Sequence, residues 1–269
     1  MLTLRILTAA IGLPVIFAAV YYGGLLFFAL IATISLVAIV EFLNLLTKIG
    51  LKPNLSFSWV SSLALLWIMF AASKGSLESY MYLPGLFFIM VLWAAVLVWR
   101  EYPENILPGL TASFFCVFYL AGMLGHLFFL RYLTPDGWSF VFFVLLLTWA
   151  SDTGAYFAGT KFGRRKLAPL VSPGKTWEGV LGGILLSLLV SYILGAWLDL
   201  PVLWRIVTGI LVSLAAVIGD LFESAIKRHA GMKDSGTLLP GHGGVLDRFD
   251  SLLLAAPLVY YMLSLFIIG

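Results

Sequence analysis

Charge is what this chain has least of. Asp, Glu, Lys and Arg supply 11% of its 269 residues while hydrophobic residues supply 62%, and the mean hydropathy is +1.05. So little polar surface excludes a soluble globular domain and places the chain among integral membrane proteins. Alternation is missing too: the apolar runs are continuous over about 20 residues, which excludes a β-barrel and leaves a helical bundle, the other structure that satisfies its own backbone in lipid. Cys116 is the single cysteine and lies inside an apolar run, so an internal disulfide and a Cys-based zinc site are both excluded. No internal repeat or low-complexity tract is present, and the inverted-repeat signature of many secondary transporters is lacking. The net charge of +3 reports loop composition and orientation rather than a nucleic-acid partner.

Nine segments are long enough to cross a hydrocarbon core of about 30 Å: residues 5–22, 24–46, 57–73, 82–99, 108–130, 138–160, 177–198, 203–224 and 250–268. Gly23-Gly24, Lys52-Pro53-Asn54, Tyr102-Pro103-Glu104, Thr134-Pro135-Asp136-Gly137 and Leu200-Pro201 break the chain between them. The first run is read as retained, since it lacks a small-residue cleavage site and leads into another span. Counting Lys and Arg by alternate sides puts 13 on one face and three (Lys74, Arg131 and Arg205) on the other. The positive-inside rule then sets the N-terminus and the loops 161–176 and 225–249 in the cytoplasm and the C-terminus outside. The expected protein is an all-α polytopic bundle of the cytoplasmic (inner) membrane. Residues 1–135 read as scaffold and 136–269 as the region that carries the chemistry.

That chemistry concentrates in Ser224–Asp250, the longest polar run, which holds nine charged or imidazole side chains within 27 residues. At its entry, Asp220, Glu223 and Lys227 fall at i, i+3 and i+7 on one helical face, and at its exit Asp247 and Asp250 are i, i+3 partners in the first turn of a helix. Clustered acids at a membrane surface need cations, and oxygen-only ligation suits Mg²⁺. Helix-dipole stabilisation would account for Asp247 and Asp250 but not for acids on a second helix. Asp152 sits inside span six, roughly 13 Å below the rim at 1.5 Å per residue, and an intramembrane carboxylate is a functional candidate unless paired. The run VSPGKTWEG places Ser172 and Lys175 in a turn before a helix, a position suited to phosphate. It is no P-loop, because Pro169 stands where that motif needs Gly. Glu41 near the end of span two reads as interfacial, with a minor role left open by its position on the side of the polar loops, His126 as a packing or interface residue, and Gly179, Gly183 and Ser187 as a close-packing face within or between subunits, leaving a homodimer open.

Ser224, Lys227-Arg228, Lys233-Asp234, Gly236, Leu239-Pro240, His242-Gly243-Gly244, Asp247-Arg248 and Asp250 together resemble the signature of the phosphatidate cytidylyltransferases. The resemblance continues through GDLFES, VSPGKTWEG and SDTGAYFAG and covers the C-terminal half. It implies transfer of CMP from CTP to phosphatidic acid, giving CDP-diacylglycerol and pyrophosphate, with Mg²⁺ required. On that reading Asp220, Asp247, Asp250 and Glu223 are candidate ligands for one metal ion or two, and Lys227 and Arg228 act beside the acids as catalytic groups. Ser172, Lys175, Lys233, Asp234, His242, Gly243, Gly244, Arg248 and Asp152 are candidate substrate contacts among CTP, phosphatidic acid and membrane lipid. Two other readings stay open at this point: a CTP-dependent lipid kinase, which would release CDP, and a cation-coupled transporter built around Asp152. The Asp-x-x-Asp-Gly-x-x-Ala-Arg pattern of CDP-alcohol phosphotransferases does not occur.

Overall fold

The computed structural model describes residues 2–75, 79–101, 106–134, 137–238, 241 and 243–268, so Leu239, Pro240 and His242 of the signature lie outside it. All nine apolar segments fall on helix. The helices are α1 (Leu2–Tyr22), α2 (Gly24–Lys48), α3 (Leu55–Ser73), α4 (Ser79–Glu101), α5 (Ile106–Cys116), α6 (Met123–Tyr132), α7 (Gly137–Phe162), α8 (Trp177–Trp197), α9 (Val202–His229) and α10 (Leu246–Ile268). Among the described residues six of the helical runs are long and apolar enough to cross a membrane, and Ala10–Tyr22 and Pro84–Trp99 form shorter apolar stretches. The fold is that of an all-α membrane protein.

Two local features depart from the sequence reading. The fifth segment is not one regular helix, because Val117–Gly122 between α5 and α6 is wound as a π-helix. Such a widened turn is a rare, short irregularity inside a helix that apolar periodicity does not reveal. The basic loop before α8 is not a simple turn either. Lys166–Ala168 (β1) and Ser172–Thr176 (β2) pair as an antiparallel hairpin, which puts Ser172 and Lys175 on a strand.

Polar contacts fix which helix ends meet. At one end Arg131 of α6 donates to the Val20 and Tyr21 carbonyls of α1 at 2.5 and 2.7 Å, and the Lys74 ammonium after α3 stacks over Phe70 and Tyr132. At the other end Lys48, closing α2, reaches Met232 beyond α9, and the Asn54 amide before α3 donates to Ser113 of α5. The hairpin, the end of α9 and the start of α10 are gathered at this second end. One apolar core spans both halves of the chain, from Ala19 and Phe27 through Leu66, Phe128 and Phe143 to Val259 and Leu263.

Small residues bring α7, α8 and α9 together beneath the polar end. Gly154 and Gly182 let α7 and α8 touch: a Cβ on Gly154 would come within 2.4 Å of the Gly182 carbonyl oxygen. Ser151 of α7 hydrogen-bonds Ser213 of α9 at 2.8 Å. The face Gly179, Gly183 and Ser187 is used within the chain, with the first two against Ala155 and Ser151 and Ser187 fully buried. Close backbone approach of this kind is how membrane helices gain packing without a hydrophobic drive.

Candidate active site

Where α7, α8, α9, α10 and the hairpin converge, a pocket of about 630 Å³ opens. Asp152, Ser172, Lys175, Asp220, Lys227, Asp234, Asp247, Arg248 and Asp250 line it, so nine of the residues singled out in the sequence share one cavity. Thr176 caps α8 by accepting the Gly179 amide at 3.1 Å, and Glu178 in its first turn accepts the Arg164 and Arg165 amides. Those bonds tie the start of α8 to the chain entering the hairpin, and Lys175, next to the cap, lines the pocket.

Lys175 Nζ meets Asp220 Oδ2 at 2.7 Å, with the two side chains 22% and 32% exposed. Asp220 also accepts from Ser224, one turn on, at 3.1 Å. Deeper in, Lys227 Nζ donates to Asp247 Oδ1 at 2.6 Å, tying α9 to α10. It lies 3.1 Å from Glu223 Oε1 but outside hydrogen-bond geometry, which leaves both oxygens of the fully buried Glu223 without a hydrogen bond. Buried carboxylates in this state carry a desolvation cost that nearby positive charge must offset. Asp250, also buried, accepts from the following amide, Ser251, at 2.6 Å.

Asp247 is the most heavily bonded acid in the pocket. Besides Lys227, it accepts the Ser235 amide at 3.0 Å and the Gly244 amide at 2.8 Å. The loop can wrap the carboxylate so tightly because Gly243 takes φ +84°, a left-handed conformation that disfavours side chains, and a Cβ there would press on Asp247 Oδ2.

Other sequence candidates lie elsewhere. Arg228 does not line the pocket; its guanidinium bridges the Val171 and Met232 carbonyls, each at 3.1 Å, and so holds the hairpin against the end of α9. Lys233 lines a neighbouring cavity with Asn44 and Lys48. Glu223 stands behind the pocket wall, Gly244 is buried beneath the loop, and His242 is outside the described residues. His126 packs among Phe129, Tyr260 and Tyr261, with one ring nitrogen 2.8 Å from the Gly122 carbonyl.

Glu41 departs most from the sequence reading. It is not interfacial: at 6% exposure it is buried beneath the 235–246 loop, where it accepts the Val245 and Leu246 amides at 3.0 and 2.8 Å and the Ser235 hydroxyl at 3.2 Å. The one signal in the sequence was an acid in the last two turns of an otherwise apolar span, on the side where the polar loops gather.

A second cavity of about 450 Å³ adjoins the pocket. It is lined mainly by apolar groups of α1, α2, α7 and α10, including Leu13, Ile16, Ile34, Leu145, Trp149 and Leu252. Asp152, Arg248 and Ser251 line both cavities. An intramembrane helical protein with an acid- and lysine-lined pocket opening beside an apolar one defines a class: polytopic membrane proteins with a charged site at one end of the helices, bordered by an apolar cavity.

Comparison with known proteins places the chain within that class. The model of the cytidylyltransferase family matches residues 3–266, and the chain belongs to that family. Three relatives are each named phosphatidate cytidylyltransferase. The one from Bacillus subtilis (strain 168) is 37% identical over 271 residues, 97% of each chain. Those from Staphylococcus epidermidis and Staphylococcus aureus (strain COL) are 36% and 35% identical over 263 residues, 96% of this chain and 98% of theirs. The protein is thus an enzyme, a nucleotidyltransferase, and the resemblance seen in the C-terminal half extends to nearly the whole chain.

Proposed function

We propose that the protein transfers CMP from CTP to phosphatidic acid, giving CDP-diacylglycerol and pyrophosphate. The observation that carries this reading is the pair of joined cavities, one charged and one apolar, sharing Asp152, Arg248 and Ser251. A phosphate on two acyl chains matches that division, with the chains in the apolar cavity and the headgroup at Arg248. Thirteen of 16 Lys and Arg on one side support the cytoplasmic membrane, nine crossings and a pocket facing the cytoplasm, where CTP is available.

In the reaction a phosphate oxygen of the lipid attacks the α-phosphorus of CTP. A P–O–P bond forms, and the bond to the bridging oxygen between the α- and β-phosphates breaks, its electron pair leaving with pyrophosphate. A phosphate monoester has a second pKa of about 6, so the nucleophile is already largely anionic at neutral pH and needs no strong base. The main cost is bringing two polyanions together. Lys175, Lys227 and Arg248 line the pocket and would offset it, with Ser172 and Asp234 as polar contacts. Gly243 and Gly244 shape the loop beside them, which carries His242. Lys233 and Arg228 act from outside the wall, the latter by fixing the hairpin.

The acids fit a divalent cation. Asp220 and Asp247 each already hold a positive group, an ammonium at 2.7 and 2.6 Å. Among the described residues no three Asp, Glu, His or Cys groups form a ready-made cage. Mg²⁺ binds through one or two carboxylates and completes its shell with water and substrate phosphate. Asp220, Asp247 and Asp250 would hold one ion or two, with Glu223 adding negative charge behind them. Such ions supply charge neutralisation between the attacking and leaving oxygens. Lys175, paired with Asp220 at 2.7 Å, would present its ammonium to the triphosphate at the same edge of the pocket.

The test is purified protein in detergent with CTP, phosphatidic acid and Mg²⁺. The expected products are pyrophosphate and a cytidine-bearing lipid, both abolished by EDTA. Release of CDP in place of pyrophosphate would overturn the proposal in favour of a lipid kinase.

A further inference from the structure

We propose that Glu41, on α2, is a positioning residue for the reaction, clamping the loop and helix start that carry Asp247. The proposal rests on the reading above only for the reaction assayed. Four observations converge on it. Glu41 lies 194 to 205 residues from its partners, so the contact belongs to the tertiary fold rather than to local sequence. Its two oxygens take the amides of Val245 and Leu246, which open α10 and have no partner inside the helix. It thereby fills the place of a capping side chain, with its negative charge at the positive end of the helix dipole.

Ser235 then carries the clamp into the pocket. Its hydroxyl donates to Glu41 while its amide donates to Asp247, so one residue is held by both acids. Asp247 in turn holds Lys227. The glycines around Glu41 complete the case. A Cβ on Gly236 would stand 2.5 Å from Glu41 Oε1, and one on Gly244 would stand 2.6 Å from Oε2, so the loop closes on this carboxylate with no room for a side chain. The chain of contacts runs from a helix of the N-terminal half to a lysine of the pocket.

Glu41 does not itself line the charged pocket, so its removal should loosen the geometry of the reacting groups more than it weakens substrate binding. In Glu41→Gln one oxygen becomes an NH₂ group that faces an amide donor. Two readouts test the consequence, with Glu41→Asp as the conservative variant and Ser235→Ala as a second break in the same chain. By hydrogen exchange in detergent, the segment 235–250 of Glu41→Gln should exchange about tenfold faster while α3 and α7 stay protected. By initial rates, kcat should fall at least about tenfold, with KM for nucleotide and lipid within about threefold. Glu41→Asp should recover part of the rate, and Ser235→Ala should lose less in the Glu41→Gln background than alone.

Unchanged protection of 235–250 with kcat within twofold of wild type would overturn the proposal. So would faster exchange spread evenly over all helices, which would make Glu41 a general stability residue. If the wild-type protein forms no cytidine lipid, the proposed function fails, yet the exchange data still decide whether Glu41 holds the loop.

Discussion

Lys175→Gln separates a catalytic role from a structural one. Among the described residues Lys175 makes one ion pair, with Asp220, and both side chains keep access to solvent at 22% and 32% exposure. A pair so placed contributes about 1 kcal/mol or less to stability, because water screens it and the long side chain loses freedom to make it. Gln is one bond shorter and uncharged but stays polar at this partly exposed position, so the cost to the fold should not exceed that of the lost pair. The effect on turnover should be much larger. If Lys175 neutralises the triphosphate, its loss removes a preorganised charge from the transition state, worth on the order of 10²- to 10³-fold in rate, or about 2.7–4 kcal/mol. The measurement is kcat/KM for CTP beside thermal denaturation in detergent. A hundredfold loss of rate with the midpoint almost unmoved is expected. A rate within threefold of wild type would refute the reasoning and leave Lys175 as a counter-ion for Asp220 alone.

Two further substitutions follow from the same geometry. Asp247→Asn removes the charge that holds Lys227 and one of two acceptor oxygens shared by the Ser235 and Gly244 amides. It should abolish turnover and lower stability by about 2–4 kcal/mol while the protein remains folded, and a near-normal rate would remove Asp247 from the reacting groups. Gly244→Ala places a Cβ 2.1 Å from Ser235 Oγ and 2.6 Å from Glu41 Oε2, so the clamp must open. Turnover should fall about tenfold and the thermal midpoint should drop, as over-packed sites cost about 1–3 kcal/mol. An unaltered enzyme would mean the loop adapts freely.

Much of the site was legible in the sequence because charged residues are so rare in this chain. Asp152, Lys175, Asp220, Asp247, Arg248 and Asp250 stand out against apolar helices, and they meet in one pocket. Helical periodicity was a coarser guide. It put Asp220, Glu223 and Lys227 on one face, but in the fold Asp220 turns to the hairpin while Glu223 is buried beside Lys227. The hairpin itself was hidden, since its strands are three and five residues long and one contains Pro173 and Gly174. Arg228 shows the limit of reading a charge as chemistry: its neighbours are backbone carbonyls, which only tertiary packing brings near. For Glu41 the sequence offered only its position on the side of the polar loops; its partners were hidden, since no spacing rule links α2 to a loop some two hundred residues away.

The central claim, that the cytidylyl group and not a terminal phosphate is moved to a lipid, is tested most directly by the fate of labelled phosphorus. CTP labelled at the α- or the γ-phosphate is incubated with phosphatidic acid, Mg²⁺ and the purified protein, and the lipid and aqueous phases are counted separately. The account predicts α-label in the lipid and γ-label in aqueous pyrophosphate; γ-label in the lipid with CDP in the aqueous phase would contradict it.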